Sequence, residues 1–259
     1  MKGYVVTGAS KGLGLALTRR LLAAGHRVIG ISRTAADTAD SGDRTDGAVI
    51  RRKAEHYAYD LKRVDGIEAL IATIVRSLEK EPLDALTLIN NAGMLEPIMP
   101  LDQADSFTLT EQMNVNLLAP MLLMSAFIRA TKDCPASTAR TIVNISSGAG
   151  KKPYSGWSGY CVTKAGLDML TRCVGLEQGD GPQAVKVVSI APGVVDTGMQ
   201  ELIRGTEPDR FPEVERFVGL KQTGGLYTPD EAAERIINVV EGGRFAQGDV
   251  LDIRHLPQA

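Results

Sequence analysis

The 259-residue chain carries 29 Lys and Arg against 31 Asp and Glu, for a net charge of −2. That balance gives no electrostatic case for nucleic acid or for an anionic membrane surface. The three cysteines (Cys134, Cys161, Cys173) are odd in number and lack any CxxC spacing, which argues against a disulfide framework or structural metal and for a reducing, cytoplasmic setting.

Residues Gly3–Thr7 predict a short buried strand, with no signal-peptide pattern before it. Gly8, Ser10, Lys11, Gly12, Leu13 and Gly14 follow as a Gly-rich turn that opens an apolar helix reaching about Ala24. Strand, glycine turn and helix N-terminus together make a phosphate-binding device, because glycine lets backbone approach and the helix offers free N–H groups. The second strand, Arg27–Ile31, ends in Ser32-Arg33, where an NAD site usually places an acid. Arg33, with Lys11 in reach, suits the 2′-phosphate of NADP instead. Residues 34–52 are polar and aperiodic, a surface excursion with at most one poor helix.

A third strand, Glu55–Tyr59, ends in Asp60-Leu61, and the spacing of Ile67, Leu70, Ile71, Ile74, Val75 and Leu78 predicts a helix. The strand Leu86–Ile89 runs into Asn90-Asn91-Ala92-Gly93, small and amide residues that suit a flat ligand across the sheet edge. Asp105–Thr131 reads as a long helix, apolar around much of its circumference. Its most apolar run, Leu117–Ile128, is shorter than a bilayer span and contains Pro120. Asn116 within it either satisfies a backbone group or holds a water chain.

The stretch Ile142–Gly166 is the centre of the chain. A β-branched run ends on Ser146-Ser147, crosses a Gly/Lys/Ser loop and enters a helix bearing Tyr160 and Lys164. Four residues apart on a helix, these two face the same way. A hydroxyl, a phenol and an ammonium at one spot form a proton-donating site aimed at an oxygen, as carbonyl reduction by a nicotinamide requires. Cys161, one step along the helix from Tyr160, reads as a small buried thiol rather than a nucleophile. The three histidines make no metal or triad pattern.

The strand Val185–Ile190 leads into Pro192, Gly193, Val195 and Thr197. The segment from about 198 to 228 is loosely patterned and holds Pro208, Pro212, Gly219, Gly224 and Gly225, a candidate substrate lid. A last helix begins at Pro229 and a last strand covers Val250–Ile253. Met94, Tyr154, Trp157 and Met199 are candidates for an apolar substrate pocket, with plain packing the alternative for Trp157. Strands alternating with helices over 1–259 imply a single α/β domain with one parallel, doubly wound sheet.

TGASKGLG at 7–14, Asp60-Leu61, NNAG at 90–93, Asn116, Ser147 with Tyr160-x-x-x-Lys164, and PGVVDT at 192–197 stand in this order along nearly the whole chain. Together they resemble the short-chain dehydrogenase/reductase family. The resemblance implies a seven-stranded Rossmann sheet flanked by helices, NADP(H) as cofactor, and a catalytic tetrad of Asn116, Ser147, Tyr160 and Lys164. In that tetrad Tyr160 gives the proton, Ser147 fixes the carbonyl oxygen, Lys164 binds the nicotinamide ribose and Asn116 holds a water. A homodimer and a small-molecule carbonyl substrate are implied as well, with no nucleic acid or membrane partner.

SSGAGKKPYSGWSGYCVTKAG and APGVVDTGMQ are similar to the sepiapterin reductase-like subgroup, and most similar in wording to a bacterial diketone-reducing branch. The activity implied is reduction of one carbonyl of an aromatic or vicinal diketone to an (S)-hydroxyketone. Pterin side-chain reduction and a non-catalytic NADP(H)-sensing protein are the alternatives. The subgroup holds pterin with a carboxylate near the C-terminus, and here His255 stands at the position expected for it.

Overall fold

The computed structural model describes residues 1–35, 42–45, 48–51, 54–80 and 82–256. Strand β1 (Lys2–Thr7) leads to helix α1 (Gly12–Ala23) and then to β2 (Arg27–Ser32). Side chains of β1 alternate between two cores: Val5 faces one, Tyr4 and Val6 the other. A strand covered on both faces must be apolar on both, which is why Tyr4, Val5 and Val6 run without a polar break.

Within the polar excursion the described residues form a small antiparallel ladder, β3 (Gly42–Thr45) against β4 (Ala48–Arg51), and residues 36–41, 46–47 and 52–53 lie outside the described residues. A hairpin is held by main-chain hydrogen bonds, so it needs no apolar periodicity to form. Next come β5 (Glu55–Ala58), α2 (Ile67–Leu78) and β6 (Ala85–Asn90). The long apolar helix runs from Ser106 to Ala130 and is long and apolar enough to cross a membrane, contrary to the estimate from its central run. It consists of α3 (Ser106–Met113), a five-residue π-turn (Asn114–Leu118) and α4 (Ala119–Ala130). Ala119, Leu123, Met124 and Phe127 pack into the core with α2, so this helix is a layer of the fold. Removing the fully buried Phe127 ring would cost about 3–5 kcal/mol.

The chain continues through β7 (Ala139–Ile145), α5 (Ser158–Gln178) and β8 (Lys186–Ala191). The segment read as loosely patterned folds into two helices, α6 (Gly198–Arg204) and α7 (Val214–Gln222). Helix α8 (Pro229–Glu241) starts on a capping box in which Thr228 and Glu231 satisfy each other's backbone N–H, with Pro229 in the first turn. Strand β9 (Val250–Asp252) closes the sheet.

The seven-stranded sheet has the order β5-β2-β1-β6-β7-β8-β9 and is parallel throughout. Helices α2 and α4 cover one face, α1 and α8 the other, with α5 joining the first core. Strand order reverses direction between β1 and β6. Loops leaving the carboxyl ends of these two strands diverge to opposite faces and open a crevice, the place where doubly wound sheets bind ligands. A third cluster, of Trp157 and Phe211 with Ile203 of α6 and Phe217 of α7, borders that crevice.

Candidate active site

The crevice is a cleft of about 550 Å³ running from the α1 N-terminus past β7 to α7. At one end, Thr7 ties the tips of β1 and β6 together: its Oγ1 accepts from the backbone N–H of Asn91 and Ala92, each at 3.0 Å. Asn91 returns the contact by donating Nδ2 to the Thr7 carbonyl at 3.0 Å. Gly14 is pressed against this junction so closely that a Cβ would stand 2.2 Å from the Gly8 carbonyl oxygen. Gly8 and Gly12 adopt φ of +66° and +54°, which side-chain-bearing residues rarely do.

Lys11 caps α1 through its backbone alone, with no side-chain hydrogen bond to the first turn. The first-turn N–H groups are therefore left to another acceptor, and Gly12, Leu13 and Gly14 line the cleft. An uncapped helix N-terminus behind a turn of bare backbone fits a phosphate group. Lys11, Arg33, Asp60 and Leu61 line the same end, and no acidic side chain follows β2 at Ser32-Arg33.

Ser147, Tyr160 and Lys164 meet at the middle of the cleft. Ser147 sits at the start of a single 3₁₀ turn, Gly148–Gly150, its Oγ accepting from Ala149 N–H at 3.2 Å. A Cβ on Gly150 would lie 3.0 Å from the Lys164 carbonyl, so a bare residue there lets the turn press against α5. Tyr160 is only 7% exposed. Burial pushes its phenol up to about 12, against the lowering influence of the neighbouring Ser147 hydroxyl. Lys164, 4% exposed, donates Nζ to the Ile145 carbonyl at 2.8 Å, and Nζ lies 5.7 Å from the Tyr160 ring centre. Burial pulls its ammonium down to about 8, with Asp168 opposing.

Asn116 is fully buried and lies one layer behind the cleft wall. Its Oδ1 accepts from Met94 N–H at 2.8 Å and its Nδ2 donates to the Met94 carbonyl at 2.7 Å. Of the two roles left open by the sequence, the structure displays the backbone clamp. Gly93 separates the amide from the lysine: a Cβ there would be 3.6 Å from Asn116 Oδ1 and 3.8 Å from Lys164 Nζ.

The remaining residues singled out from the sequence (Ser10, Ala92, Pro192, Gly193, Val195 and Thr197, with Met94, Tyr154, Trp157 and Met199) all line the cleft. Trp157 both walls the pocket and packs: it stacks on Phe211 with centroids 4.4 Å apart and meets Tyr160 edge-on at 5.7 Å. Two cations that sequence reasoning passed over reach the same pocket, Arg216 from α7 and Arg254 from beyond β9. His255, expected near the pterin end, is absent from the lining, and Arg254 takes its place. A residue two positions past the last strand's carboxyl end was the available signal, since ligands in such sheets gather at strand carboxyl ends.

A short chain dehydrogenase family model matches residues 2–208. The chain belongs to the short-chain dehydrogenase/reductase family. Members use NAD(P)(H) and act on small molecules, so the chain is an oxidoreductase of CH–OH and C=O groups. It is 38% identical to the benzil reductase ((S)-benzoin forming) of Bacillus cereus, covering 98% of this chain and 99% of that one. It is 33% identical to the sepiapterin reductase of Meriones unguiculatus, covering 96% and 94%. Among solved structures, the KRED1-Pglu enzyme superposes with a TM-score of 0.77 at 29% identity, covering 96% of this chain and all of that one.

Proposed function

We propose that the chain is an NADPH-dependent carbonyl reductase that converts one carbonyl of an aromatic or vicinal diketone, such as benzil, to an (S)-hydroxyketone. The observation that carries this reading is the meeting of Ser147, Tyr160 and Lys164 in the cleft that also holds the glycine cradle. The 38% relative named for benzil reduction supports the substrate class. When bound, the reduced nicotinamide supplies the hydride.

Tyr160 is the proton donor. A phenol held near 12 is fully protonated at neutral pH, ready to give its proton to a carbonyl oxygen that gains negative charge. The Ser147 hydroxyl, in contact with the phenol, holds that oxygen in position. Lys164 brings a cation close to Tyr160, which favours the phenolate left after transfer. The same ammonium would hold the nicotinamide ribose, and Asn116 fixes the Met94 backbone. Arg33 and Lys11, which line that end of the cleft, would hold the 2′-phosphate and so select NADPH over NADH.

Helices α6, which carries Met199, and α7 act as the substrate lid over Trp157. Exposed Leu118 and Met121 on the long helix, with Val162 and Met169 on α5, supply the apolar face of a homodimer. Three unpaired cysteines support a cytoplasmic setting. Reduction of a pterin side chain is the second reading, favoured by the 33% relative. Against it, the C-terminal carboxylate nearest the pocket, Asp252, is buried and already bound by Arg254. A non-catalytic NADP(H) sensor has no need for the Ser147–Tyr160–Lys164 cluster.

The test is NADPH oxidation with benzil, 1-phenyl-1,2-propanedione and sepiapterin, with chiral analysis of the product. Diketone turnover giving the (S)-hydroxyketone is expected, and turnover of sepiapterin alone would overturn the reading. Tyr160→Phe should lower kcat/KM by about 10²–10⁴-fold while NADPH binding, read by fluorescence, stays within about threefold. Unchanged turnover would remove Tyr160 from its role.

A further inference from the structure

Three cations gather around Tyr154 on the wall of the substrate pocket. Arg216 donates Nη1 to the Tyr154 hydroxyl at 3.1 Å, and Lys152 Nζ lies 4.5 Å from the ring centre. The third is Arg254, in the same pocket and electrostatically coupled to Tyr154. Glu213 offsets Arg216 at 3.3 Å, and Asp252 offsets Arg254. One positive charge remains in excess of these pairings.

Arg254 is the best placed of the three. Asp252, 4% exposed, grips it from the buried side, with Nε to Oδ1 at 2.9 Å and Nη2 to Oδ2 at 2.5 Å. That two-point grip fixes the plane of the guanidinium and leaves Nη1 without a partner among the described residues. The stem lies against Gly193, where a Cβ would be 3.4 Å from Arg254 Cγ. The head reaches the turn that carries Ser147: Nη2 is 3.8 Å from where a Cβ of Gly148 would stand. A fixed donor fork, 42% exposed, thus opens on the pocket beside the group that holds the reacting oxygen.

We propose that Arg254 is a specificity residue: it binds a second oxygen acceptor of the substrate, adjacent to the carbonyl being reduced, with Arg216 adding charge from α7. The acceptor is a second carbonyl in a vicinal diketone or a carboxylate in a 2-oxo acid, and a ketone with one oxygen leaves the fork unpaired. The inference rests on the carbonyl-reductase reading and deepens it. It also accounts for the buried Asp252, whose carboxylate orients the guanidinium and takes no part in binding substrate.

The test compares kcat/KM for 1-phenyl-1,2-propanedione, phenylglyoxylate and 2,2,2-trifluoroacetophenone, an activated ketone with a single oxygen. The enzymes are wild type, Arg254→Met, and Asp252→Asn/Arg254→Met, the last removing the carboxylate that the first would strand. In both variants the ratio of a two-oxygen substrate to trifluoroacetophenone should fall by about 10- to 100-fold, the worth of a hydrogen bond from a charged donor. A greater fall for phenylglyoxylate identifies a carboxylate as the natural acceptor, and a greater fall for the dione identifies a neutral carbonyl. Equal losses on all three substrates would reduce Arg254 to a structural partner of Asp252 and overturn the proposal. Wild-type turnover of trifluoroacetophenone alone would overturn it together with the diketone substrate, while leaving carbonyl reduction itself in place. No turnover of any ketone would overturn both.

Discussion

Replacing Lys164 with Met should make the protein more stable and less active, because the site keeps a charge where the fold would prefer none. Burial pulls the Lys164 ammonium from its ordinary 10.5 to about 8, with Asp168 resisting. A tenfold change in proton affinity is worth about 1.4 kcal/mol, so holding the cation in the fold at pH 7 costs about 3 kcal/mol. Below pH 8 both folded and unfolded chains carry the proton and the whole cost applies. Between pH 8 and 10.5 the folded chain has released it while the unfolded chain has not, so wild-type stability climbs with pH. The methionine variant has no such cost at any pH. It does lose the hydrogen bond to the Ile145 carbonyl and the countercharge for Asp168, together about 1–2 kcal/mol.

The net gain at pH 7 is about 1–2 kcal/mol, or a Tm roughly 2–8 °C above wild type for a chain of this size. Thermal melts followed by circular dichroism at pH 7 and pH 10 test this directly. The advantage should shrink or reverse at pH 10, where the wild-type lysine is neutral. Diketone reduction should fall at least about 100-fold. A variant that melts below wild type at pH 7, or with the same offset at both pH values, would show that Lys164 is stabilised by its surroundings, and the argument would fail.

Two further outcomes concern the cofactor end. Gly14→Ala places a methyl 2.2 Å from the Gly8 carbonyl oxygen and 2.5 Å from Asn91 Nδ2, so the cradle must open. Calorimetry should show NADPH binding weakened at least about tenfold, with about 1–3 kcal/mol of stability lost; unchanged affinity would separate this turn from the phosphate. Arg33→Glu should raise the Kd for NADPH about 10- to 100-fold and favour NADH, since it replaces a cation at the ribose end by an acid. Equal effects on both cofactors would place Arg33 outside the 2′-phosphate site.

The parts of the fold that could be read from sequence are those in which chain and neighbours agree. The buried strands β1, β6, β7 and β8 are largely apolar on both faces, and only a sheet covered on both sides accepts that. The ladder of β3 and β4 escaped because main-chain pairing leaves no periodic trace, although Val49 and Ile50 are strand formers. Helix α7 escaped for a different reason: Val214 and Phe217 are its buried residues, too few to stand out between Pro212 and Gly219. Arg254 was passed over because an arginine near a C-terminus looks like any solvated cation until Asp252 is seen to hold it.

Nor does the sequence alone say why Tyr160 and Lys164 stand where they do. Asn90, Asn144 and Ser189 occupy the same level on β6, β7 and β8, paired in register across the sheet. Asn90 Nδ2 donates to Asn144 Oδ1 at 2.9 Å, and Asn144 Nδ2 donates to Thr171 Oγ1 at 2.9 Å. Ser189 Oγ donates to Asp168 Oδ1 at 2.6 Å. This polar row crosses the carboxyl half of an otherwise apolar sheet and fastens Asp168 and Thr171, which lie one and two turns beyond Lys164 on α5. Sliding α5 along the sheet would strand several buried polar groups at once, each at a cost of about 1–3 kcal/mol. The helix is therefore locked in translation as well as rotation, and Lys164 is held over the Ile145 carbonyl. The same residues that interrupt the apolar pattern of the strands thus set the position of the chemistry, which is why they sit beneath the site and not at random in the core.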